Sequence, residues 1–284
     1  MSSLRVLVAD GNVAEIRNRQ INAVGYDAAT GYLRVLRHLA PGLACDVVYP
    51  ADVHTPKQLA HGLERYDGVA ITGSALCIAD GGPAVERQIE LATMVLEAGV
   101  PLFGSCWGFQ VAVVAAGGAV AANPRGREFG FARRIQLTPA GRNHALFAGK
   151  PPVFEAPTVH RDHIERLPDG AELLASNEMG IQAAAFTYRR GTCWGVQYHP
   201  EYDYRDICAV TRRYGLDLVA AQIFASSTAL TEFAADMEAL QANPVDHPLL
   251  WKYGLGPAMH TEAVRVRELA NWLTAQVGAR ARSR

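Results

Sequence analysis

The sequence has no strong excess of either charge and no hydrophobic run long enough to cross a membrane. Lys and Arg total 27 and Asp and Glu total 28, so the formal net charge at pH 7 is -1. A chain with balanced charge creates no broad electric field that attracts nucleic acid or anionic lipid. We therefore expect no nucleic acid and no membrane among its partners.

Signals for secretion and for disulfide or zinc scaffolds are also missing. The first ten residues run straight into an apolar strand pattern, without the charged, apolar and small-residue stretches of a secretion signal. The 5 cysteines are widely spaced and form no CxxC pair, which argues against a disulfide framework and a zinc knuckle. We expect a cytoplasmic protein with no metal and with at least one cysteine free for chemistry.

Glycine-rich phosphate loops are absent as well. The sequence contains neither GxxxxGK followed by Ser or Thr nor a GxGxxG after a strand pattern. Such loops use backbone amides to cradle phosphate groups. A nucleotide-binding Rossmann protein is therefore the weakest functional interpretation, and we expect no organic cofactor.

Short apolar runs alternate with segments of helical period in the first half of the chain. Four of these runs have the length of buried parallel strands, at residues 4–9, 45–49, 68–71 and 101–103. Residues 84–98 have helical spacing and are followed by Gly99, a usual helix stop. The alternation predicts an α/β fold with a doubly wound, mostly parallel sheet joined by right-handed crossovers.

The pattern changes in the middle of the chain. Residues 109–116 directly follow a strand and a glycine-flanked turn, which favours a helix because a parallel sheet needs a crossover there. Residues 127–190 form short segments typical of antiparallel hairpins, and a further apolar run follows at 192–198.

Helical patterns dominate the last part of the chain. They cover residues 204–239 and 261–277, with the proline-containing stretch 243–257 between them. We predict a main α/β domain at residues 1–225 and a helical C-terminal extension at residues 226–284 that packs on it.

A cysteine stands between a strand pattern and a helix pattern. It is Cys106, in the stretch Gly104-Ser105-Cys106-Trp107-Gly108. Small neighbours allow a sharp turn to push the sulfur out of the backbone, as in the serine elbow of hydrolases. The helix that follows directs its free N-terminal amides at the sulfur and so supplies donors for an oxyanion. The alternative is a small core residue, since free cysteine is often buried.

A histidine and a glutamate follow the apolar run at residues 193–198. They are His199 and Glu201, separated by Pro200. Residues two apart in an extended segment project to the same side, so the carboxylate can orient the imidazole. Beside Cys106 the pair would complete the nucleophile, base and orienting group of thiol catalysis. The alternative is a solvated strand end with no catalytic role.

Together these residues resemble the class I, triad-type glutamine amidotransferases, and in particular the glutaminase domain of GMP synthase. The hallmarks of that family are a GxCxGxQ elbow and a C-terminal HPE, which are present here at residues 104–110 and 199–201. The similarity extends roughly from Arg5 to Glu201 and includes residues 66–74 and 159–168. The resemblance implies a flavodoxin-like, doubly wound fold.

The resemblance also implies a reaction and its catalytic residues. Cys106 would attack the side-chain amide carbonyl of glutamine or of a γ-glutamyl amide and form a thioester, with His199 and Glu201 as the activating pair. Ammonia or an amine would leave, and water would then release glutamate. None of these steps requires a metal or an organic cofactor.

Further site residues follow from the same resemblance. Gly73 and Trp107 would donate the backbone amides of the oxyanion hole, and Gln110 would help to hold the substrate. The chain departs from the family at residues 75–77, which read Ala-Leu-Cys where relatives often have a proline, and in the aromatic Trp107 next to the sulfur. We expect these positions to border the substrate cleft.

The segment from His160 to Asp162 resembles a motif that the family places near the active site, and Arg127-Glu128-Phe129-Gly130 resembles the region before it. A structural interpretation is favoured for both. Asp162 with Glu165 has the spacing of a helix N-cap and its third-position acid. His160 then needs no role in the chemistry.

The sequence leaves the partner and the use of the reaction open. No synthetase domain is visible, so ammonia either passes to a separate synthetase or acceptor partner, or the protein is a free-standing γ-glutamyl peptidase or amidase. A third interpretation is a catalytically silent binding module on the same fold. Formation of a homo-oligomer is left open as well.

Overall fold

The computed structural model describes residues 4–52, 59 and 62–283. The strands, numbered in chain order, are β1 Arg5–Ala9, β2 Ala44–Val48, β3 Gly68–Ile71, β4 Leu102–Ser105, β5 Ala119–Ala122, β6 Glu128–Leu137, β7 Val153–His160, β8 Asp162–Arg166, β9 Glu172–Asn177, β10 Gly180–Tyr188 and β11 Gly191–Val196. The helices before residue 200 are α1 Ala14–Val24, α2 Ala28–Leu39, α3 Pro83–Glu97, α4 Trp107–Ala115 and α5 Pro139–Asn143. The later ones are α6 Tyr204–Tyr214, α7 Leu216–Ala220, α8 Ser227–Ala242, α9 His247–Tyr253, α10 Pro257–His260, α11 Glu262–Arg265, α12 Arg267–Trp272 and α13 Gly278–Ser283.

A nine-stranded sheet forms the centre of the molecule, in the order β2-β1-β3-β4-β11-β10-β9-β6-β7. The strands from β2 to β11 in this order are parallel neighbours. The strands from β10 to β7 continue the sheet in antiparallel hairpins, and β5 pairs with β8 in a separate ribbon. The predicted α/β class with helices on a central sheet is confirmed, and β11 joins the two halves.

The parallel strands are buried on both faces, as their continuous apolar runs predict. In β1, Val6 and Val8 pack with α2 and with the C-terminal helices, whereas Leu7 and Ala9 pack with α3 and α4 on the other face. The alternation follows from the two-residue period of a strand. Helices therefore cover the sheet on both sides, and α4 is held against β11 because Phe109 fills the space above Gly195.

Several elements differ from the sequence prediction. The single helix predicted at residues 204–239 is wrong, because Gly215 adopts a positive φ of 44° after α6 and Ser226 caps the separate helix α8. The proline-containing stretch 243–257 holds the short helix α9, which Asp246 caps. The interpretation of Asp162 as a helix N-cap is also wrong, since it begins strand β8.

The helices after residue 226 contact the parallel sheet directly. The ring of Trp272 lies 5.7 Å from that of Phe103 in β4. Arg280 donates hydrogen bonds to the carbonyl oxygens of Tyr66 at 3.1 Å and Gly99 at 2.6 Å. The domain boundary at residue 226 stays a prediction. No helix in the described part of the chain is long and apolar enough to span a membrane.

Candidate active site

Cys106 occupies a sharp turn between the end of β4 and the start of α4. Its φ of 51° and ψ of -105° place a residue with a side chain in a region that such residues rarely enter. Conformations of this kind cost about 1–3 kcal/mol and persist where the surroundings enforce them. One such restraint is the Cys106 amide, which donates to the carbonyl of Val196 in β11 at 2.8 Å.

The glycines on either side of the turn are required by close packing. A Cβ on Gly104 would overlap the backbone of Gly108, and a Cβ on Gly108 would overlap the carbonyl oxygen of Ile71 in β3. The predicted need for small neighbours therefore has a specific cause, which is the close approach of α4 to the ends of β3 and β4. The Ser105 hydroxyl is hydrogen-bonded to the Tyr32 hydroxyl at 2.7 Å and anchors the preceding residue.

His199 and Glu201 follow the end of β11 and lie side by side. The distance from His199 Nδ1 to Glu201 Oε1 is 2.7 Å, and both side chains are buried. The His199 amide donates to the carbonyl of Pro157 at 2.8 Å, which fixes the segment against β7. The ring of Tyr202 stacks on the imidazole with centroids 4.0 Å apart and an interplanar angle of 10°. Sequence reasoning missed Tyr202, although it directly follows the HPE motif.

The imidazole of His199 also interacts with Cys106. Burial alone would lower the pKa of His199, but the Glu201 carboxylate and the Cys106 sulfur outweigh burial and raise that pKa to about 10. The three side chains that the sequence singles out therefore lie together. His199 Nε2 makes no hydrogen bond to any described residue, and Cys106 Sγ contacts the carbonyl oxygen of Val159 at 3.6 Å. Such loose geometry is common in enzymes without substrate and tightens when substrate binds.

Gly73 and Trp107 each adjoin one member of the Cys106 and His199 pair. Gly73 follows β3 and touches the histidine, since a Cβ on it would overlap Cε1 of His199. Trp107 is the first residue of α4, where a backbone amide has no partner within the helix. Its side chain is fully buried and donates from Nε1 to Gln88 Oε1 at 2.7 Å. The expectation that the Trp107 side chain borders the cleft is therefore wrong.

A cavity of about 180 Å³ opens beside the sulfur of Cys106. Residues 75–77 line it, as the sequence predicts. Its lining also includes charged side chains of both signs: Asp80, Arg127, Arg161 and Asp162. No cluster of three or more His, Cys, Asp or Glu side chains suited to a metal ion occurs among the described residues.

The turn from β7 to β8 forms one wall of this cavity and is held by a buried network. His160 bonds through Nε2 to Glu128 Oε2 and through Nδ1 to the carbonyl of Asp162, both at 2.8 Å. A carbonyl oxygen can only accept, so Nδ1 of His160 is the donor to Asp162. Gln110 Nε2 donates to the same carbonyl at 3.2 Å and to Gln197 Oε1 at 3.3 Å. The amide nitrogen of Gln110 is thus already used within the protein.

Asp162 faces the cavity from this turn. Its Oδ2 accepts a hydrogen bond from Cys77 Sγ at 2.7 Å. Its Oδ1 is buried and has no hydrogen bond, although Arg161 Nε lies 3.5 Å away as an ion-pair contact. A buried carboxylate oxygen without a donor is costly unless a ligand supplies one.

Sequence comparisons identify relatives of this chain. The family model for "Glutamine amidotransferase class-I" matches residues 26–207. A γ-glutamyl-L-1-hydroxyisopropylamide hydrolase from Pseudomonas sp is 36% identical over 222 residues, which cover 77% of this chain and 75% of that protein. GMP synthase from Streptomyces avermitilis is 36% identical over 129 residues, covering 45% of this chain and 22% of that enzyme. The aligned part is therefore under a quarter of that GMP synthase.

Solved structures with the same fold include two glutamine amidotransferases. The one from Thermotoga maritima superposes with a TM-score of 0.61 at 19% identity, over 98% of this chain and 99% of that one. The one from Methylobacillus flagellatus has a TM-score of 0.55 at 18% identity, over 99% and 95% of the two chains. These likenesses show the fold, and the family model covers well over half of the residues. The chain belongs to the class I glutamine amidotransferase family.

Proposed function

We propose that this chain hydrolyses the side-chain amide of glutamine or of a γ-glutamyl amide through a thioester on Cys106. The observation that carries the proposal is the sulfur on a strained turn beside a buried pair of His199 and Glu201, whose Nδ1 and Oε1 are 2.7 Å apart. The nucleophile, the base and the group that orients the base are those that thiol catalysis requires. The family to which the chain belongs performs chemistry of this kind.

In the proposed reaction, His199 already holds the proton of the Cys106 thiol, because its pKa of about 10 keeps the imidazole protonated near neutral pH, and the sulfur attacks the amide carbonyl carbon. The C–N bond then breaks, and the imidazolium returns the proton to the departing nitrogen. Water, deprotonated by the same imidazole, attacks the thioester carbonyl and releases glutamate and the thiol. The Glu201 carboxylate orients and stabilises the imidazolium.

The developing oxyanion would be held by the amides of Gly73 and Trp107. Both residues adjoin the reacting pair: Trp107 follows the nucleophile at the start of α4, and Gly73 contacts the His199 ring. Preorganised amides aimed at a tetrahedral oxygen stabilise it strongly, and the loss of one donor costs about 10²–10³ in turnover. Gln110 acts in this proposal mainly by holding the Asp162 turn, to which it donates at 3.2 Å.

The cavity charges suit the zwitterionic end of a γ-glutamyl group. The Oδ1 of Asp162, which accepts no hydrogen bond, offers an acceptor for the α-ammonium, and Arg161 and Arg127 lie in the same lining for the α-carboxylate. The cavity of about 180 Å³ is smaller than the roughly 300–1,000 Å³ typical of drug-sized ligands. A small glutamyl group fits inside, and a substituent on the amide nitrogen would extend through the opening.

Two fates of the released nitrogen follow from the relatives. The γ-glutamyl-L-1-hydroxyisopropylamide hydrolase aligns with 77% of this chain, which favours a free-standing hydrolase that releases an amine. The glutamine-hydrolysing GMP synthase from Streptomyces avermitilis aligns with only 45% of this chain. It supports the second candidate, a glutaminase that passes ammonia to a synthetase partner. A cytoplasmic location and self-association stay predictions from the sequence.

The decisive experiment compares glutamine with a series of N-alkyl γ-glutamyl amides and measures the release of ammonia, amine and glutamate. Cys106→Ala should lose at least about 10³-fold in turnover, because truncating the nucleophile of a catalytic triad removes most of its rate enhancement. Cys45→Ala is the matched control, since Cys45 is a free, half-buried cysteine on the edge strand β2.

The outcomes separate the three functional interpretations. Faster turnover of alkyl amides than of glutamine supports the free-standing hydrolase, and the reverse order supports the glutaminase. Labelling of Cys106 by 6-diazo-5-oxo-norleucine gives an independent test of the nucleophile. Hydrolysis that persists in Cys106→Ala, or a wild-type protein that hydrolyses none of the series, contradicts the proposal and favours a silent binding module.

A further inference from the structure

The histidine segment, residues 198–202, has two faces with different partners. The side chains of His199 and Glu201 belong to the catalytic arrangement around Cys106. The Tyr198 hydroxyl and the carbonyls of Pro200 and Tyr202 are instead bound by helices that follow residue 226. The segment is therefore also fixed by contacts in which the side chains of His199 and Glu201 take no part.

Arg265, at the end of α11, makes the main contact with this segment. Its Nη1 donates to the carbonyl of Pro200 at 3.0 Å and to that of Tyr202 at 2.7 Å. These two carbonyls flank Glu201 on either side. The arginine is 8% exposed, and its only ion-pair contact among the described residues is a 3.9 Å approach to the half-exposed Glu262. The planar guanidinium is thus used to fix backbone geometry rather than to pair with a carboxylate.

A buried ion pair holds Arg265 itself in place. Glu268 in α12 is fully buried, accepts a hydrogen bond from the Tyr198 hydroxyl, and pairs with Lys150 Nζ at 2.9 Å. Lys150 also donates to the carbonyls of Val264 at 2.9 Å and Arg265 at 3.3 Å. All three ammonium hydrogens therefore have acceptors, as a buried ammonium group requires.

We propose that Arg265 is a positioning residue for the proposed hydrolysis. By binding the main-chain carbonyls on both sides of Glu201, it keeps the Glu201 carboxylate within hydrogen-bonding distance of His199 Nδ1. The inference rests on the proposed function and extends it, because it gives the C-terminal helices a part in catalysis. Arg265 does not touch the substrate cavity. It lines, together with Glu201, a separate cavity of about 370 Å³.

The expected consequences follow from this geometry. Without the guanidinium, Glu201 loses its fixed position and the imidazole loses part of the interaction that raises its pKa to about 10. Arg265→Ala should lower kcat by about ten- to a hundredfold, the range seen when an aligned catalytic group is displaced by up to an ångström. The KM should change little, since the variant leaves the Cys106 cavity intact.

Three variants make the test. Arg265→Ala removes both hydrogen bonds, and Arg265→Lys keeps the charge but replaces the planar fork with a single point donor. Arg280→Ala is the matched control, because Arg280 also joins a C-terminal helix to two main-chain carbonyls, at Tyr66 and Gly99, away from the catalytic residues. Arg265→Lys, which conserves the charge, carries the test if Arg265→Ala does not fold.

Two readouts distinguish positioning from general stabilisation. One is the pKa of His199, followed by NMR on ring-labelled histidine, which needs no substrate. The other is rescue of kcat in Arg265→Ala by guanidinium at concentrations well below denaturing ones, admitted through the 370 Å³ cavity. We expect a lowered His199 pKa and partial rescue in Arg265→Ala, a smaller effect in Arg265→Lys, and neither in Arg280→Ala.

Other results overturn the proposal. An unchanged His199 pKa and kcat in folded Arg265→Ala, or an equal loss in Arg280→Ala, would mean that Arg265 only stabilises the fold. If the wild-type protein hydrolyses no amide, the proposed function fails. The His199 titration still decides whether Arg265 fixes the Glu201 and His199 pair, so the two failures are distinguishable.

Discussion

The contact between Gly73 and His199 leads to a quantitative prediction for Gly73→Ala. A methyl group at this position would overlap Cε1 of the imidazole and lie 3.3 Å from both Nδ1 and Nε2. Carbon atoms settle at about 3.5–4.0 Å from each other, so the ring must move by roughly an ångström. The hydrogen bond to Glu201 and the stacked ring of Tyr202 hold the imidazole and oppose this movement.

A displacement of that size has a known consequence for catalysis. Moving a catalytic group by about 1 Å costs on the order of 10² in turnover, and we expect Gly73→Ala to lower kcat by that factor. The backbone itself tolerates alanine, because Gly73 is not among the residues with a positive φ. Loss of activity would therefore come from the methyl group and not from misfolding, which thermal unfolding of the variant checks.

Two assays separate the possible causes of the loss. Release of ammonia or amine requires both the imidazole and the oxyanion donors, whereas alkylation of Cys106 by iodoacetamide requires only the activated sulfur. A displaced His199 slows both reactions, and a disturbed oxyanion hole slows hydrolysis alone. Gly42→Ala is the control, since a Cβ there meets nothing within 4 Å. A folded Gly73→Ala that retains kcat and alkylation within about threefold of wild type refutes the reasoning from contact distance.

Two further predictions concern titrating groups. Glu201→Gln should lower the pKa of His199 from about 10, because it removes the carboxylate that offsets the effect of burial on this pKa. It should also reduce kcat by up to about 10⁴-fold, as the acid-to-amide change does in serine proteases. A histidine NMR titration with an unchanged pKa would contradict the prediction. Burial first, and then the neighbouring Asp203, raise the pKa of Asp206 from 3.8 to about 7. Because the folded state then binds the extra proton, the free energy of unfolding should fall as pH rises from about 4 to about 7. Urea unfolding across that range should show a weaker pH dependence in Asp206→Asn, and equal slopes in the two proteins would count against the assignment.

The proximity of the three proposed catalytic side chains was predictable from sequence because its signals are local. The glycines around Cys106 indicate a turn, and the two-residue spacing of His199 and Glu201 indicates side chains on one side of a strand end. Each signal lies within a few positions of the sequence. The order of strands then brings the pieces together, since β4 and β11 are parallel neighbours whose carboxyl ends meet. Topology was therefore sufficient to place the three side chains at one edge.

Features that depend on distant packing were not predictable in this way. Trp107 has the right position for a cleft residue, but its side-chain direction is set by Gln88, nineteen positions earlier. The spacing of Asp162 and Glu165 fits a helix cap, and pairing of β8 with β5 overrides it. Arg265 contacts carbonyls more than sixty positions away, and no local pattern marks such a bond.

The backbone of Cys106 has an evolutionary consequence. A residue with φ of 51° and ψ of -105° works against the stability of the whole chain, and glycine at this position would relax the turn. Selection for thermal resistance alone would thus favour replacing the sulfur-bearing residue. On the proposed function, selection for a reactive sulfur would oppose that replacement at the cost of a less stable fold.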